Sequence, residues 1–243
     1  MDASWEEFGW ERLGHGVGRR RLPVWDATVA LVAGTDGVLL CDTGPSLREA
    51  AELRGQAQAL LGRRVTHIAL SHPHFDHVLG TAAFAGTQVF GAGGMTELLR
   101  HGADELHADA VRHGLPEHDA AESADVLVAP HHEVRAEWTL DLGGGREVLL
   151  VNAGPGHSGH DLAVLVPGLS GSPAVVLCGD LVEESGEPQA GPDAFPARWP
   201  AALDRLLELG GEDALYVPGH GAVVDAAFVR AQRDQLAARF GVS

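Results

Sequence analysis

The chain contains no lysine, one tyrosine and only two cysteines in 243 residues. Two cysteines cannot build a disulfide framework. Cys41 and Cys178 each sit at the end of an apolar run, so buried thiols are expected. Long hydrophobic runs are missing too. No apolar segment approaches the ~20 residues that a membrane span needs. The acidic stretch Met1 to Trp10 lacks the basic start and apolar run of a signal peptide. These absences point to a cytoplasmic protein with no membrane partner. Positive charge is also scarce: 17 Lys+Arg, all of them arginine, face 34 Asp+Glu, for a formal net charge of −17. An acidic surface repels phosphate backbones, which makes nucleic acid a poor partner.

What is present describes a soluble globular chain, with 45% apolar and 21% charged residues and length for a substantial core. A single domain over 1–243, with its core at about 22–240, is expected. Residues 1–23 read as mixed, with Arg19-Arg20-Arg21 as a solvated edge. Ala27 to Ala33 and Val38 to Cys41 read as strands around a Gly/Asp-rich turn. Ser46 to Leu61 reads as a helix capped by Ser46 and stopped by Gly62. Val65 to Leu70 is a further strand, and Val78 to Phe84 a short helical stretch. Strands are expected at Gln88 to Phe90 and Asp125 to Ala129, helices at Met95 to His101 and Asp104 to Val111. Four histidines here, His101, His107, His113 and His118, share no ligand spacing and read as exposed. Ala136 to Leu142 and Arg146 to Val151 form a hairpin. Leu162 to Val166, Ala174 to Cys178 and Ala214 to Val217 are strands. Helices at about Ala197 to Leu209 and Asp225 to Phe240 complete the chain. Strands followed by helices occur twice, around 27–84 and 136–237, which suggests two sheet-plus-helix halves packed face to face.

Between the strand ending at Leu70 and the helix from Val78 lies Ser71-His72-Pro73-His74-Phe75-Asp76-His77. Three imidazoles and a carboxylate within six positions suit zinc, iron or manganese better than magnesium or calcium. Three more loops end or follow strands with a ligand-type residue beside Gly or Pro: His157, Asp180 and His220. Seven ligands are too many for one tetrahedral ion and about right for two.

With these motifs in order, the chain resembles the metallo-β-lactamase superfamily, in its dinuclear-hydrolase branch with a bridging aspartate, as in the glyoxalase II, lactonase and RNase Z groups. The residues that carry the resemblance are Asp42 in Cys-Asp-Thr-Gly, the cluster His72 to His77, His157 in Gly-Pro-Gly-His-Ser-Gly, Asp180 in Cys-Gly-Asp and His220 in Pro-Gly-His-Gly. His157 to Asp161 is also similar to small hydrolases of the MBLAC type. The resemblance implies an α/β fold, the four-layer αββα sandwich. It assigns His72, His74 and His157 to one metal, Asp76, His77 and His220 to the other, and Asp180 to both, with Asp42 orienting ligands from behind. It implies two divalent transition-metal ions, zinc first with iron or manganese as the alternatives. A bridging hydroxide would attack a small ester, thioester, lactone or related substrate, and Asp76 would relay the proton. True zinc β-lactamases of the common subclass have cysteine where Asp180 stands, so β-lactams are not expected. The other readings are a mononuclear-iron oxidoreductase of the persulfide dioxygenase type and a phosphodiesterase or nuclease. Trp25, His160, Arg198 and Trp199 are candidates for the substrate pocket, whose walls would come from Pro23 to Asp26 and the segments 91–133 and 183–200. The oligomeric state, monomer or homodimer, stays open.

Overall fold

The computed structural model describes residues 4–242; Met1 to Ala3, part of the acidic N-terminal stretch, and Ser243 lie outside the described residues. The first half contains the strands β1 (Glu11–Gly14), β2 (Val17–Arg21), β3 (Thr28–Ala33) and β4 (Val38–Cys41), then the helix α1 (Leu47–Leu61). It continues with β5 (His67–Ala69), α2 (Phe75–Val78), β6 (Gln88–Ala92), α3 (Met95–His101), α4 (Ala103–Arg112), α5 (Glu117–Asp125) and β7 (His132–Val134). The second half runs β8 (Glu137–Asp141), β9 (Glu147–Asn152), β10 (Leu162–Val166), β11 (Val175–Glu183), α6 (Trp199–Gly210), β12 (Leu215–His220) and α7 (Ala226–Phe240). The first seven strands form one sheet in sequence order, and the other five form a second in the order β12-β11-β10-β9-β8.

Three apolar layers glue this stack, as the αββα sandwich requires. Between the sheets lie Ala30, Val32, Leu39, Phe90, Leu150, Val164 and Leu177. Leu31, Leu40 and Ile68 face the other way, onto Ala50 and Leu53 of α1. Val176, Cys178 and Tyr216 cover the far side of the second sheet with Trp199 and Leu203 of α6 and Val229 of α7. Strand residues alternate between layers because successive side chains point to opposite faces. α1 forms where expected: Ser46 Oγ accepts the Glu49 N–H, and Gly62 closes the helix in the left-handed region.

Topology decides where the site lies. β4, β5 and β6 run parallel, so the segments after Cys41 and Ala69 emerge at one end of the first sheet. β11 and β12 are parallel, and β10 is antiparallel to β11. The ends of β11 and β12 and the loop entering β10 therefore share one end of the second sheet. The Leu162 N–H donates to the Ser71 carbonyl at 2.7 Å, which brings those two ends together.

Several expectations need correction. The N-terminal stretch forms the β1–β2 hairpin, and Arg19 is buried rather than solvated. Its guanidinium pairs with Glu11 at 2.7 Å and donates to the Gly221 carbonyl at 2.8 Å. The expected strand at 125–129 is absent. Asp125 ends α5, the following residues pack without pairing, and β7 comes three residues later than that span. The short helix begins at Phe75, inside the ligand cluster, rather than at Val78. β11 continues through Asp180 instead of stopping at Cys178, but its ladder to β12 is irregular beyond Leu177.

Candidate metal centre

The cluster after β5 changes conformation at its middle. His74 is extended and serves as the helix N-cap residue, while Asp76 and His77 sit in the first turn of α2. The rings of His72 and His74, two apart across the bend at 72–73, meet edge to face, 4.5 Å between centroids. Asp76 and His77 are turned elsewhere by the helix. The atoms able to bind a metal fall into two sets accordingly. Those of His72, His74, His157 and Asp180 lie within 4.8 Å of one another, as do those of Asp76, His77 and His220. Asp180 stands between the sets: Oδ2 is 3.6 Å from His72 Nε2, 3.5 Å from His157 Nε2 and 3.2 Å from His220 Nε2, while Oδ1 is 3.3 Å from His77 Nε2.

Two glycines make this approach possible. A Cβ on Gly219 would come 1.8 Å from Asp180 Oδ1, and one on Gly179, at φ +54°, would meet Ser71 Cβ at 2.8 Å. The Cys-Gly-Asp and Pro-Gly-His patterns are thus steric requirements of bringing β11 and β12 onto the β5 loop.

The outward nitrogens of four histidines each face an acceptor. His77 Nδ1 lies 2.9 Å from Asp42 Oδ2, His220 Nδ1 2.7 Å from the Trp25 carbonyl and His74 Nε2 3.0 Å from Asp193 Oδ2. His72 Nδ1 lies 2.9 Å from Ser71 Oγ, whose own hydrogen goes to Asp42 Oδ2. A neutral imidazole has one N–H, so spending it outward leaves a lone pair facing inward. His77 Nε2 then faces His220 Nε2 at 3.4 Å, and His157 Nε2 faces His74 Nδ1 at 3.1 Å. His72 Nε2 and Asp180 Oδ1 are buried with no hydrogen-bond partner. Lone pairs crowded on one another, with orphaned buried acceptors among them, fit divalent cations.

The electrostatics agree. Burial holds His72 well below the usual imidazole range, and likewise lowers His157 to about 4, so both offer neutral nitrogens. Burial also opposes protonation of His77 and His220, but Asp76 and Asp180 outweigh it. They hold His77 well above its ordinary value and lift His220 to about 9. Burial resists ionisation of Asp180, yet His72, His77 and His220 keep its carboxyl well below the usual range. The second set is a strongly negative pocket: without a metal it holds protons on the inward nitrogens of His77 and His220, and a divalent cation would displace them and free those lone pairs.

Asp42 anchors the arrangement. It adopts a left-handed backbone, φ +59°, and accepts from the Ser71 N–H at 2.7 Å as well as from Ser71 Oγ and His77. A strained non-glycine residue held by three donors marks a place where geometry matters.

The pocket candidates separate. Trp199 does not line a wall: it is fully buried, packs behind His157 with 5.4 Å between ring centroids, and donates its indole N–H to the Leu181 carbonyl. Trp25 stands edge-on to Phe75, and its carbonyl orients His220. His160 is half-buried, with Nδ1 3.0 Å from the Gly93 carbonyl. Arg198 is exposed at the start of α6. His113 is exposed as expected, and its ring stacks on Phe75 at 5.5 Å, which brings the end of α4 to the rim; His107, also read as exposed, is half-buried. Sequence reasoning missed Ser71, Asp193 and Asp161. The buried Asp161 carboxylate accepts from the Gly156 and Ser158 N–H groups and from Ser158 Oγ, shaping the loop that presents His157. Only Ser71 and Asp161 had a sequence signal, through adjacency to the motifs.

The family described as Metallo-beta-lactamase superfamily matches residues 22–220. Metallo-beta-lactamase domain-containing protein 1 of Xenopus laevis is 31% identical over 198 residues, covering 81% of this chain and 71% of that protein. Metallo-beta-lactamase type 2 of Bacillus cereus is 24% identical over 202 residues, covering 82% and 69%. Among solved structures, a metallo-beta-lactamase from Pontibacter korlensis superimposes with TM-score 0.72 at 19% identity, covering 93% of this chain and 97% of its own. The metallo-beta-lactamase FIM-1 from Pseudomonas aeruginosa, described in its mono-zinc form, gives TM-score 0.69 at 19% identity, covering 95% of each.

Proposed function

The chain belongs to the metallo-β-lactamase superfamily, a family of metallo-hydrolases, and from that premise we propose that it is a dinuclear hydrolase of small esters, thioesters, lactones or related substrates. His72, His74 and His157 would hold one divalent ion and Asp76, His77 and His220 the second, with Asp180 as the carboxylate common to both. The observation that carries this reading is the division of seven ligand-type residues into two sets joined by one carboxylate. Zinc is the first candidate, in line with the FIM-1 relative; iron and manganese suit the same nitrogen and oxygen donors.

Two such cations would supply Lewis acidity and a water acidic enough to act as nucleophile at neutral pH. The protein's own residues do the rest. Asp76 takes the proton of the attacking water and returns it to the leaving group. Asp42 and the Trp25 carbonyl fix the rings of His77 and His220. A glycine-walled floor lets Asp180 reach both sets. Cys178 is buried two positions before Asp180 and supplies no thiolate ligand, so β-lactams are not the proposed substrates.

The test is hydrolysis across ester, thioester, lactone and phosphodiester panels, with and without chelator. Asp180→Ala should lower turnover on every accepted substrate by at least ~100-fold, since it removes a ligand from both ions. Chelator-insensitive hydrolysis unchanged in Asp180→Ala would end the reading, and oxygen uptake on a persulfide would replace it with the iron oxidoreductase.

A further inference from the structure

Glu183 is the acidic residue near the centre that the ligand scheme leaves unused. β11 carries three more residues than β12 between the Leu177–Val217 pair and the Glu183–His220 pair. That irregularity sets Glu183 directly across from His220. Its backbone N–H donates to Gln232 Oε1 at 3.0 Å, which pins the strand end. A carboxylate oxygen of Glu183, one of Asp180 and a nitrogen of His220 all lie within 4.8 Å of one another. Two ligands on one ion, each ~2.0–2.2 Å from it, stand at most about 4.4 Å apart, so a contraction of a few tenths of an ångström makes a site.

The Glu183 carboxylate is oriented but not consumed. Ser185 donates its N–H at 3.0 Å and its hydroxyl at 2.6 Å, both to Oε1. Among the described residues nothing donates to Oε2. The ion-pair partners of Asp180 are all histidines, and its Oδ1 is buried with no hydrogen bond. Two carboxylates therefore face one another beside a histidine with no arginine to neutralise them. The one positive charge beside them is the proton that Asp180 and Asp76 hold on His220, and a divalent cation in its place would neutralise both carboxylates.

Once a cation displaces its inward proton, His220 offers one lone pair, since Nδ1 is engaged with the Trp25 carbonyl. It cannot serve an ion at Asp180 and Glu183 while serving one at Asp76 and His77. The two positions are alternatives for a single ion. They differ in depth: Asp76 and His77 are buried, His77 completely, whereas Glu183 is half-buried.

We propose that Glu183, Asp180 and His220 form an outer capture position from which a divalent cation passes to the inner set of Asp76, His77 and His220. The inference rests on the two-ion reading above. Glu183 supplies a partly exposed, hard oxygen that meets the hydrated cation first. His220, common to both positions, hands the ion inward.

The test is uptake of Co2+ by metal-free protein, followed by stopped-flow absorbance, with the final stoichiometry measured separately. Glu183→Gln keeps the acceptor for Ser185 and removes the charge. It should slow entry of the second ion at least 10-fold, with the first ion's rate and the final two-ion stoichiometry unchanged. Glu184→Gln removes a charge one residue away and should load like the wild type. Glu183→Asp keeps the charge, should load faster than the Gln variant, and carries the test if that variant fails to fold. Second-ion entry at the wild-type rate in Glu183→Gln would overturn the capture position while leaving the two-ion centre standing. Equal slowing in Glu184→Gln would reduce the effect to general charge and overturn it as well. A wild type that never takes more than one ion would remove both the centre and the inference.

Discussion

A metal-binding histidine is only as good as the partner behind it, because that partner decides which nitrogen keeps the hydrogen. Asp42 does this for His77 directly, and supports His72 through Ser71. One carboxylate thus serves both ligand sets. Asp42→Ala is expected to weaken the hold on metal by roughly 10- to 100-fold, the usual cost of losing such a partner. Competition with a chromophoric chelator measures it. Because His77 depends on Asp42 directly and His72 only through Ser71, the ion on the His77 side should be lost first. An affinity within twofold of wild type would contradict this role.

At the scale of elements, the loop between β9 and β10 shows how a functional turn is held. Asp161 is its internal staple, and Trp199 at the start of α6 is the wall behind His157. Asp161→Ala leaves the buried Ser158 N–H and hydroxyl without their acceptor, at about 1–3 kcal/mol each, while the Gly156 N–H keeps the Ser158 carbonyl. A loss of about 3 kcal/mol in urea unfolding of the metal-saturated protein is expected, and a loss below about 1 kcal/mol would contradict the staple. The same scale explains what was legible beforehand. Ligand spacing and the Gly and Pro beside each ligand are local, so the four ligand-bearing loops and most strands could be read directly. The strand expected at 125–129 rested on Val126, Leu127 and Val128. In the fold these apolar residues follow the end of α5, and Leu127 and Val128 pack onto the helix layer without pairing. The real edge strand, His132 to Val134, is too short to show a period. The pairing of β1 with β2, the burial of Trp199 and the placement of Glu183 across from His220 depend on contacts distant in sequence or on an irregular ladder. None of these leaves a local pattern.

For the whole molecule, the site is a seam. The first sheet contributes Asp42 and the cluster 71–77, and the second contributes His157, Asp180 and His220, so ions bound there would fasten the two sheets together. Arg19, reaching from β2 to the Gly221 carbonyl, and the bridge between Ala27 and His220 fasten the same seam without metal. Ligands that bind only the folded state stabilise it by mass action, about 2.7 kcal/mol at 100 times the dissociation constant. Removing metal should therefore lower Tm by roughly 5–10 °C, at about 2–4 °C per kcal/mol for a chain of this size. Calorimetry with and without chelator reads this, and an unchanged Tm would show that the seam holds without ions.

The central claim is that the two halves of one seven-residue stretch belong to two different metal sites. Counting zinc per chain by mass spectrometry of the metal-loaded, desalted protein tests it most directly. Two ions per chain is the predicted result; one or none would contradict the account.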